Sequence, residues 1–483
     1  MVLGLTFEQL INTVNDWVWG VPLIVLILAV GLYLTIRLKL LQIVHLPKAF
    51  KFMVKDEDDA KGEVSSFGAL CIALSATIGT GNIVGVATAI YAGGPGALFW
   101  MLVAAFLGMA TKYAEGLLAV KYRTVDKDNH VLGGPFYYIE NGMGKRWKWL
   151  ARLFAFFGVG AGLLGIGTIT QINGITDAVQ SFADPDKQYM VTLFGHSYSV
   201  VALIAGLFVT VLTALVIIGG IKRIAKVSEV LVPFMAILYV ATCLVLLFSN
   251  LSELPGAIVE IVAGAFNPSA VTGGLVGSLL VVVQKGVARG IFSNESGLGS
   301  APIAAAAART KEPVRQGLVS MTGTFLDTIV ICTMTGLSIV LTDAWRGVDA
   351  QGVRLEGVNI TNKAFDDGLF FLPGSVSSFI LMICLSFFAF TTILGWNYYS
   401  ERCLEYLCGR KKWIVQIFRW VYIAAVFIGP YLTAAAVWGI ADIFNGMMAF
   451  PNLIALIALS GVVVKETKSF ISRYKRKAEE THE

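Results

Sequence analysis

Long apolar stretches recur along the 483-residue chain, separated by shorter polar segments. A stretch of about 20 mainly apolar residues is long enough to cross the hydrocarbon core of a bilayer as a helix. Eleven such stretches lie at 19–38, 66–91, 97–120, 153–180, 199–220, 228–249, 271–297, 317–342, 374–400, 414–438 and 442–464. The pattern therefore predicts an all-α membrane protein with eleven transmembrane helices.

Basic residues lie between these stretches on alternate sides. Most of the Lys and Arg residues, 29 of 37, lie in segments 37–65, 121–152, 222–226, 309–315, 401–412 and 465–483. Because positively charged loops stay in the cytoplasm, we expect the N-terminus outside and the C-terminus inside, in the inner (plasma) membrane of the cell. Residues 1–18 contain no Lys or Arg, so we interpret the first stretch as a retained span and not as a signal peptide.

The eleven spans divide into one leading helix and ten core helices. The ten form two groups of five that start on opposite sides of the membrane, which is typical of an inverted repeat. The division predicts four parts. They are an extracellular N-terminus with the extra helix and a basic cytoplasmic loop (1–65), a first repeat of core helices 1–5 (66–250), a second repeat of core helices 6–10 (251–465), and a basic cytoplasmic tail (466–483).

Core helix 1 carries a candidate break at Gly79, Thr80 and Gly81. These residues lie about 13 positions after the helix start, or roughly 20 Å along it at about 1.5 Å per residue, which is near the bilayer centre. Each glycine costs a helix about 1 kcal/mol relative to alanine. Small residues also allow close helix packing in membranes, so from this helix alone both interpretations stay open.

Core helix 6 favours the interpretation as broken helices. Its stretch combines glycines with polar residues, namely Gly286, Gly290, Gly297, Gly299, Gln284, Asn294, Glu295 and Ser296. A polar, glycine-rich interruption of a spanning helix is tolerated only where protein or water satisfies the backbone. Interrupted helices at matching positions of two repeats indicate a binding site near the bilayer centre, so we predict broken first and sixth core helices.

The direction of core helix 1 decides which chemistry its break offers. The outer half begins after Gly81, and its free N–H groups and positive dipole end suit a carboxylate. The inner half ends near Ser75 and Ile78, where released carbonyl oxygens suit a hard cation such as sodium. A cation and an amino acid would then bind side by side and strengthen each other's binding.

Composition removes several classes of function. The chain is 56% hydrophobic and 14% charged, whereas soluble domains carry about 25% charged residues. It has no GxxxxGK[ST] and no HExxH motif, and its six cysteines have neither metal-ligand nor redox spacing. We expect no enzymatic activity, no cofactor and no nucleic-acid partner.

Four segments resemble the alanine or glycine:cation symporter family, also called sodium:alanine symporters. They read GTGNIVGVATAIYAGGPGALFWM (79–101), GMATKYAEGLLAVKYR (108–123), GVARGIFSNESGLGSAPIAAAAA (286–308) and TTILGWNYYSER (391–402). The likeness extends from about residue 17 to 465. This family resembles the amino acid-polyamine-organocation superfamily, which has a five-plus-five inverted-repeat core, and GTGN is similar to the first break of neurotransmitter:sodium symporters.

The resemblance implies a set of site residues. The amides of Gly79, Thr80 and Gly81 would bind the substrate carboxylate, beside Asn82. The carbonyls near Ser75 and Ile78, with the hydroxyls of Thr391 and Thr392, would bind sodium. The side chains of Gln171, Thr392 and Trp396 would line the substrate pocket.

Three of these residues also fit other roles. Gln171 also fits an interhelical hydrogen bond, and Trp396 also fits ordinary packing or an interfacial anchor. Asn82 fits three roles: a sodium ligand, a residue that orients substrate, or a cap of the outer half-helix. The sequence does not choose among them.

Polar residues near the second break have further candidate roles. Asn294, Glu295 and Ser296 are candidates for gating or helix capping. Lys112 and Glu115 are three positions apart on core helix 2, which predicts an intrahelical ion pair.

These inferences favour secondary active transport, namely sodium-coupled symport (uptake) of small neutral amino acids, alanine and/or glycine, by alternating access. The expected partners are the amino acid, Na⁺ and the lipid bilayer. One alternative is a proton-coupled transporter, which needs a titratable group such as Glu295 or a pair around Lys285. Another alternative is a non-transporting amino acid sensor with the same fold.

Overall fold

The computed structural model describes residues 7–55, 57, 60–126, 130–193, 196–267, 279–409, 411–431 and 434–480. Within these residues, nine helices are long and apolar enough to cross a membrane, and the bent pair Ser66–Thr77 and Gly81–Gly93 makes a tenth. The remaining predicted span, 271–297, is described only from Leu279 onward. The prediction of an all-α, multi-pass membrane protein is confirmed.

A group of four helices precedes the core. Their bounds are Phe7–Val18, Val21–Arg37, Leu41–Val44 and Leu46–Val54. The second of them is the extra transmembrane helix, and it packs against core helices 2 and 10. The last two lie in the loop that the sequence predicts to be basic and cytoplasmic.

The first repeat contains two interrupted helices. Its bounds are Ser66–Thr77, Gly81–Gly85 and Val86–Gly93 (core helix 1), Gly96–Lys121 (2), Lys148–Leu164 and Ile169–Ala183 (3), Val200–Ile217 (4) and Gly220–Ser249 (5). The piece Gly81–Gly85 is a π-helical turn. The interruption of core helix 3 at 165–168 was not predicted from the sequence.

The second repeat also contains a broken first helix, but its third helix is continuous. Its bounds are Leu279–Asn294 and Ala301–Ala305 (core helix 6), Pro313–Thr324, Phe325–Cys332 and Thr333–Leu341 (7), Gly374–Leu407 (8), Lys412–Ile428 (9) and Ala434–Glu480 (10). Core helix 7 is π-helical at Phe325–Cys332. Core helix 10 continues past 465, so the tail predicted from 466 is helical as far as Glu480.

Short elements connect the core helices. The helical ones are Pro135–Tyr137, Tyr138–Gly142, Lys145–Trp147, Leu254–Phe266, Ala344–Arg346, Val358–Gly368 and Gly429–Tyr431. Strands β1 (Thr124–Val125) and β2 (Val131–Leu132) form one antiparallel hairpin, and β3 (Met190–Leu193) and β4 (His196–Ser199) form another. The polar 343–372 segment thus contains a short helix at each end.

Four pairs of corresponding helices from the two repeats pack against each other. Core helix 2 packs on 7, 3 on 8 and 4 on 9, and each half of core helix 1 packs on a half of core helix 6. Pairing of this kind is expected from a pseudo-two-fold axis in the membrane plane. The exact repeat boundaries, 66–250 and 251–465, stay predictions.

Core helices 1 and 8 approach each other closely beside the first break. A Cβ atom at Gly395 would lie 2.7 Å from the backbone nitrogen of Ala76, so only glycine permits this contact. The approach brings the broken segment of core helix 1 against the polar face of core helix 8.

Candidate functional site

Core helix 1 comes apart at the predicted position. Its inner half ends at Thr77, Ile78 is extended (φ −75°, ψ 96°), and the outer half restarts at Gly81 after a bend of 54°. A Cβ atom at Gly79 would lie 2.5 Å from Thr392 Oγ1 and 3.2 Å from Gln171 Oε1. The absence of a side chain at Gly79 therefore lets two predicted site residues reach the broken backbone.

Side-chain oxygens accept hydrogen bonds from two of the exposed amides. Gly79 N donates to Asn82 Oδ1 at 2.9 Å, and Thr80 N donates to Gln171 Oε1 at 3.3 Å. Both acceptors are neutral, and hydrogen bonds to a charged acceptor are roughly twice as strong. A substrate carboxylate could therefore displace them. Asn82 thus satisfies the amide of Gly79 just before the outer half-helix, and the three roles left open for Asn82 stay predictions.

The unpredicted break in core helix 3 positions Gln171. The helix stops at Leu164 and restarts at Ile169, and Gln171 Nε2 donates to the carbonyl of Ile166 inside the gap at 3.0 Å. This bond aims the Gln171 oxygen at core helix 1. The sequence feature that indicates this break is the glycine-rich run GVGAGLLGIG at 158–167.

Oxygen atoms of core helices 1 and 8 converge at the end of the inner half-helix. Thr392 Oγ1 lies 3.2 Å from the carbonyl oxygen of Ile78 and 3.0 Å from that of Phe388, and Thr391 Oγ1 lies 3.0 Å from the same Phe388 oxygen. We call Ile78, Phe388, Thr391 and Thr392 the oxygen cluster. The hydroxyl of Ser75, which we also predicted near the ion, donates to Ile72 O within its own helix.

Sequence reasoning missed two contributors to the site. Phe388 contributes a backbone oxygen, which leaves no mark in a sequence. Asp327, fully buried in the π-helical part of core helix 7, accepts from Asn82 Nδ2 at 2.8 Å and from Ser293 Oγ at 2.8 Å. Asp327 therefore connects the two broken helices. In the sequence it is visible only as a lone acidic residue in an apolar span.

The second break spans residues 295–300. Three of its residues, Glu295, Gly297 and Gly299, have φ of 56°, 90° and 82°, in the left-handed region that favours glycine. A glutamate at such a position is strained by about 1–3 kcal/mol. Its carboxylate accepts a bond from Trp396 Nε1 at 2.9 Å and another from Ser300 Oγ.

The other two candidates beside this break stabilise the turn. Asn294 Oδ1 accepts from Ser296 N at 2.9 Å, which caps the chain after the helix ends, and Asn294 Nδ2 donates to Thr328 Oγ1 at 3.1 Å. The Ser296 hydroxyl pairs with that of Thr324 at 2.9 Å. These contacts fit helix capping, while Glu295 contacts the indole of core helix 8.

The side chains of Lys112 and Glu115, predicted to pair within core helix 2, instead make their direct bonds to residues around the second break. Lys112 Nζ donates to the carbonyl of Asn294 at 2.6 Å, whereas Glu115 Oε1 accepts from Asn452 Nδ2 at 2.6 Å and from Gly297 N at 3.1 Å. The spacing permits a pair, but the open backbone of the second break offers both side chains better-placed partners. Both residues therefore support the break.

Two cavities reach the first break. One of about 440 Å³ is lined by Thr80 together with Asn173 and loop residues such as Lys187. The other, about 260 Å³, lies between Thr80 and Arg289. In contrast, Trp396 is fully buried and lines neither cavity. Both cavities therefore reach the first break from the predicted outer side.

A cluster of charged residues lies on the predicted cytoplasmic side of the molecule. We call Glu63, His130, Arg402 and Glu405 the charge cluster. His130 contacts Glu63 at 3.0 Å and Glu405 at 2.9 Å, and Arg402 contacts Glu63 at 2.9 Å and Glu405 at 2.8 Å. Hydrogen bonds to Glu405 and Glu63 raise the pKa of His130 to about 9. The cluster therefore joins core helix 8 to segments before core helices 1 and 3.

The chain is similar in sequence to known transporters. The model of the sodium:alanine symporter family matches residues 5–483. The chain is 54% identical to an uncharacterized transporter of Haemophilus influenzae, over 98% of each chain. It is 48% identical to the sodium/alanine symporter AgcS of Methanococcus maripaludis, over 96% of this chain and 97% of that one. It is 36% identical to the probable sodium/glutamine symporter GlnT of Bacillus subtilis, over 97% and 91%.

A solved structure has the same fold. The structure of MhsT in complex with L-phenylalanine matches with a TM-score of 0.54 and 17% identity, covering 80% of this chain and 89% of MhsT. The relatives above carry the names of transporters and symporters, not of enzymes. The chain therefore belongs to the sodium:alanine symporter family and is a multi-pass membrane transporter.

Proposed function

We propose that the chain couples inward movement of sodium to uptake of a small neutral amino acid, alanine and/or glycine, by alternating access. The proposed setting is the inner (plasma) membrane of the cell, with the N-terminus outside and the C-terminus in the cytoplasm. The family to which the chain belongs supports sodium as the coupling ion, and the AgcS relative supports alanine as a substrate.

One observation carries this proposal. The break in core helix 1 exposes the amides of Gly79 and Thr80 on one side and the carbonyl of Ile78 on the other. Helix N-terminal amides favour a carboxylate, and unwound carbonyls at a half-helix C-terminus favour sodium. A zwitterion and a cation would thus bind next to each other, so that each strengthens the binding of the other, and symport uses this coupling.

The proposed substrate site consists of residues from the predicted set. The amides of Gly79, Thr80 and Gly81 bind the carboxylate, with Asn82 and Gln171 turning away as it enters. Gln171 and Thr392 lie against Gly79 and leave little space beside the broken backbone. We therefore expect a small substrate.

The proposed ion site is the oxygen cluster. Its two carbonyls, from Ile78 and Phe388, and its two hydroxyls, from Thr391 and Thr392, are all oxygens from uncharged groups. A monovalent cation needs no full carboxylate to neutralise it, and the substrate carboxylate supplies a nearby negative charge. The Ser75 hydroxyl bonds to Ile72 O, so Ser75 stays a predicted ligand through its backbone carbonyl only.

One sodium ion supplies enough energy for uptake. Moving one positive charge through about 100 mV gives about 2.3 kcal/mol, and a tenfold sodium gradient gives about 1.4 kcal/mol. Together these support roughly 500-fold accumulation of a zwitterion. A second sodium ion is not required.

Uptake by the purified chain in proteoliposomes tests the proposal. Alanine and glycine should accumulate only with an inward sodium gradient, and a proton uncoupler should leave the uptake unchanged. Glutamine and phenylalanine belong in the same panel because of the GlnT and MhsT likenesses. Uptake that needs no sodium would overturn sodium coupling.

Proton coupling is the second candidate, and two fully buried carboxylates favour it. Glu295 and Asp327 are bonded to neutral side chains and lie at the two breaks. A carboxylate without a bonded cation in the membrane interior is a candidate proton carrier. Uptake driven by a pH gradient without sodium, and lost in Glu295→Gln or Asp327→Asn, would favour this mechanism. Alanine binding without any uptake would favour a sensor.

A further inference from the structure

A second large cavity lies beside the charge cluster, and no residue of either break lines it. Its volume is about 440 Å³, and it opens between the turn that joins core helices 4 and 5 and the junction of core helices 8 and 9. The residues that line it and carry the argument are Gly219, Gly220, Lys222, Arg402, Lys412 and Arg419. Nothing in the proposed transport mechanism uses this cavity.

The lining has an excess of positive charge. Arg419 is neutralised by Glu401, with two bonds of 2.7 Å, and Arg402 and His130 are balanced by the two carboxylates of the charge cluster. Lys222 and Lys412 remain, and neither has an acidic partner among the residues that the structure describes. The cavity therefore carries a net charge of about +2 from these two lysines, which favours binding of an anion.

Backbone and buried side-chain donors point to the same kind of ligand. Core helix 5 begins at Gly220 in the cavity wall, and its N-cap residue Gly219 provides no side-chain acceptor for the first amides. Such amides bind phosphate and carboxylate groups. Arg402 is only 8% exposed, and its Nε–H has no hydrogen-bond partner within the described residues. A buried, unsatisfied donor in the wall of a cavity indicates a missing acceptor.

Apolar surface borders the cavity on the side that faces the membrane. Trp413, Ile417 and Trp420 of core helix 9 are 64%, 54% and 56% exposed, and Leu215 of core helix 4 and Ile218 directly after it are also exposed. Tryptophan is typical of the membrane–water interface. A ligand with an anionic head and apolar chains would satisfy both surfaces at once, which a free anion would not.

We propose that this cavity binds a phosphate group, namely that of an anionic phospholipid whose acyl chains lie along core helices 4 and 9. Lys222, Lys412 and the amides of core helix 5 contact the phosphate. Basic pockets between transmembrane helices on the cytoplasmic face bind lipid head groups of this kind. The proposal is independent of the transported substrate and of the coupling ion.

Native mass spectrometry of the full-length protein in detergent tests the site with phosphatidylglycerol, phosphatidylcholine and inorganic phosphate as probes. The test variant is Lys222→Gln with Lys412→Gln. The matched control is Lys465→Gln with Lys468→Gln. These two exposed lysines belong to core helix 10 and lie, like the cavity, on the predicted cytoplasmic side of the membrane. Equal unfolding temperatures of the two double variants establish that both are folded.

We expect phosphatidylglycerol to bind the wild type and the control more tightly than phosphatidylcholine does. A lysine near an anionic surface contributes about 1 kcal/mol, so the test variant should bind phosphatidylglycerol about thirtyfold more weakly. Equal retention of phosphatidylglycerol by the test variant and the control would overturn the site. Binding of inorganic phosphate with no preference between the two lipids would overturn the lipid as its source. Loss of lipid binding with normal sodium-driven uptake would still support this site, so the two proposals fail separately.

Discussion

A methyl group added at Gly79 tests the candidate site with the smallest possible change. In Gly79→Ala the new Cβ atom would lie 2.5 Å from Thr392 Oγ1 and 3.2 Å from Gln171 Oε1. Ordinary contacts at these atoms are 3.4–4 Å, so both side chains must move. Thr392 would move away from the Ile78 carbonyl, and the Gln171 oxygen would shift slightly relative to the Thr80 amide.

The size of the effect follows from this overlap. Overpacking a close-packed site by one methylene costs about 1–3 kcal/mol. Because a tenfold change in affinity corresponds to about 1.4 kcal/mol, the affinities for alanine and for sodium should each fall roughly 5- to 150-fold. The two affinities should fall together, since Thr392 and Gln171 flank the same atom.

Gly85→Ala is the matched control for this variant. Gly85 lies four positions beyond the start of the outer half-helix, and a Cβ atom there would meet nothing within 4 Å. Alanine is a better helix former than glycine by up to about 1 kcal/mol, so this variant should fold and transport like the wild type.

Initial rates of alanine uptake into proteoliposomes, measured against alanine and sodium concentrations, give both affinities. Equal amounts of reconstituted protein remove differences in insertion. If Gly79→Ala and Gly85→Ala agree within twofold in both concentration dependences, the close contact of Gly79 with Thr392 and Gln171 has no part in binding, and the site assignment is wrong.

Three further predictions address the cation, the second break and the charge cluster. Thr392→Val keeps the shape but removes a hydroxyl from the oxygen cluster, so half-maximal uptake should need at least about tenfold more sodium; an unchanged sodium dependence contradicts the ion site. Glu295→Ala and Trp396→Ala should both admit bulkier amino acids such as leucine, whereas Glu295→Gln, which keeps an acceptor for the indole N–H, should stay closer to wild type; identical selectivity of the two Glu295 variants refutes this. The pKa of His130 is raised from 6.5 to about 9, so the stability it contributes is complete below about pH 6.5 and is lost as pH rises through about 9. Relative to His130→Asn, the unfolding temperature of the wild type should fall across that range, and parallel curves would contradict the role of His130.

The broken helices could be predicted from the sequence because their cause is local. Glycines and polar residues in the middle of an apolar stretch, as at Gly79 and Glu295, conflict with a continuous membrane helix. The same signal was present at 158–167, but a glycine-rich run also fits close packing, and only the structure separates the two. Gln171 and Thr392 were predicted from the family resemblance, and both lie at the first break.

The missed features depend on tertiary contacts that spacing does not encode. The Phe388 carbonyl belongs to a residue whose side chain gives no hint of the role. Asp327 was visible as a lone acid, but its partners come from core helices 1 and 6. Lys112 and Glu115 have the spacing of an ion pair, yet the unwound backbone of the second break competes successfully for both. In each case a distant segment determines the bond.

The central claim is that one break in core helix 1 binds a carboxylate and a cation side by side. Coupling between two such ligands is reciprocal and typically amounts to 5- to 150-fold in affinity. Calorimetric titration of the purified protein with alanine, in sodium chloride and in choline chloride at equal ionic strength, measures it directly. The account predicts at least fivefold tighter alanine binding in sodium, and equal affinities in the two salts would contradict it.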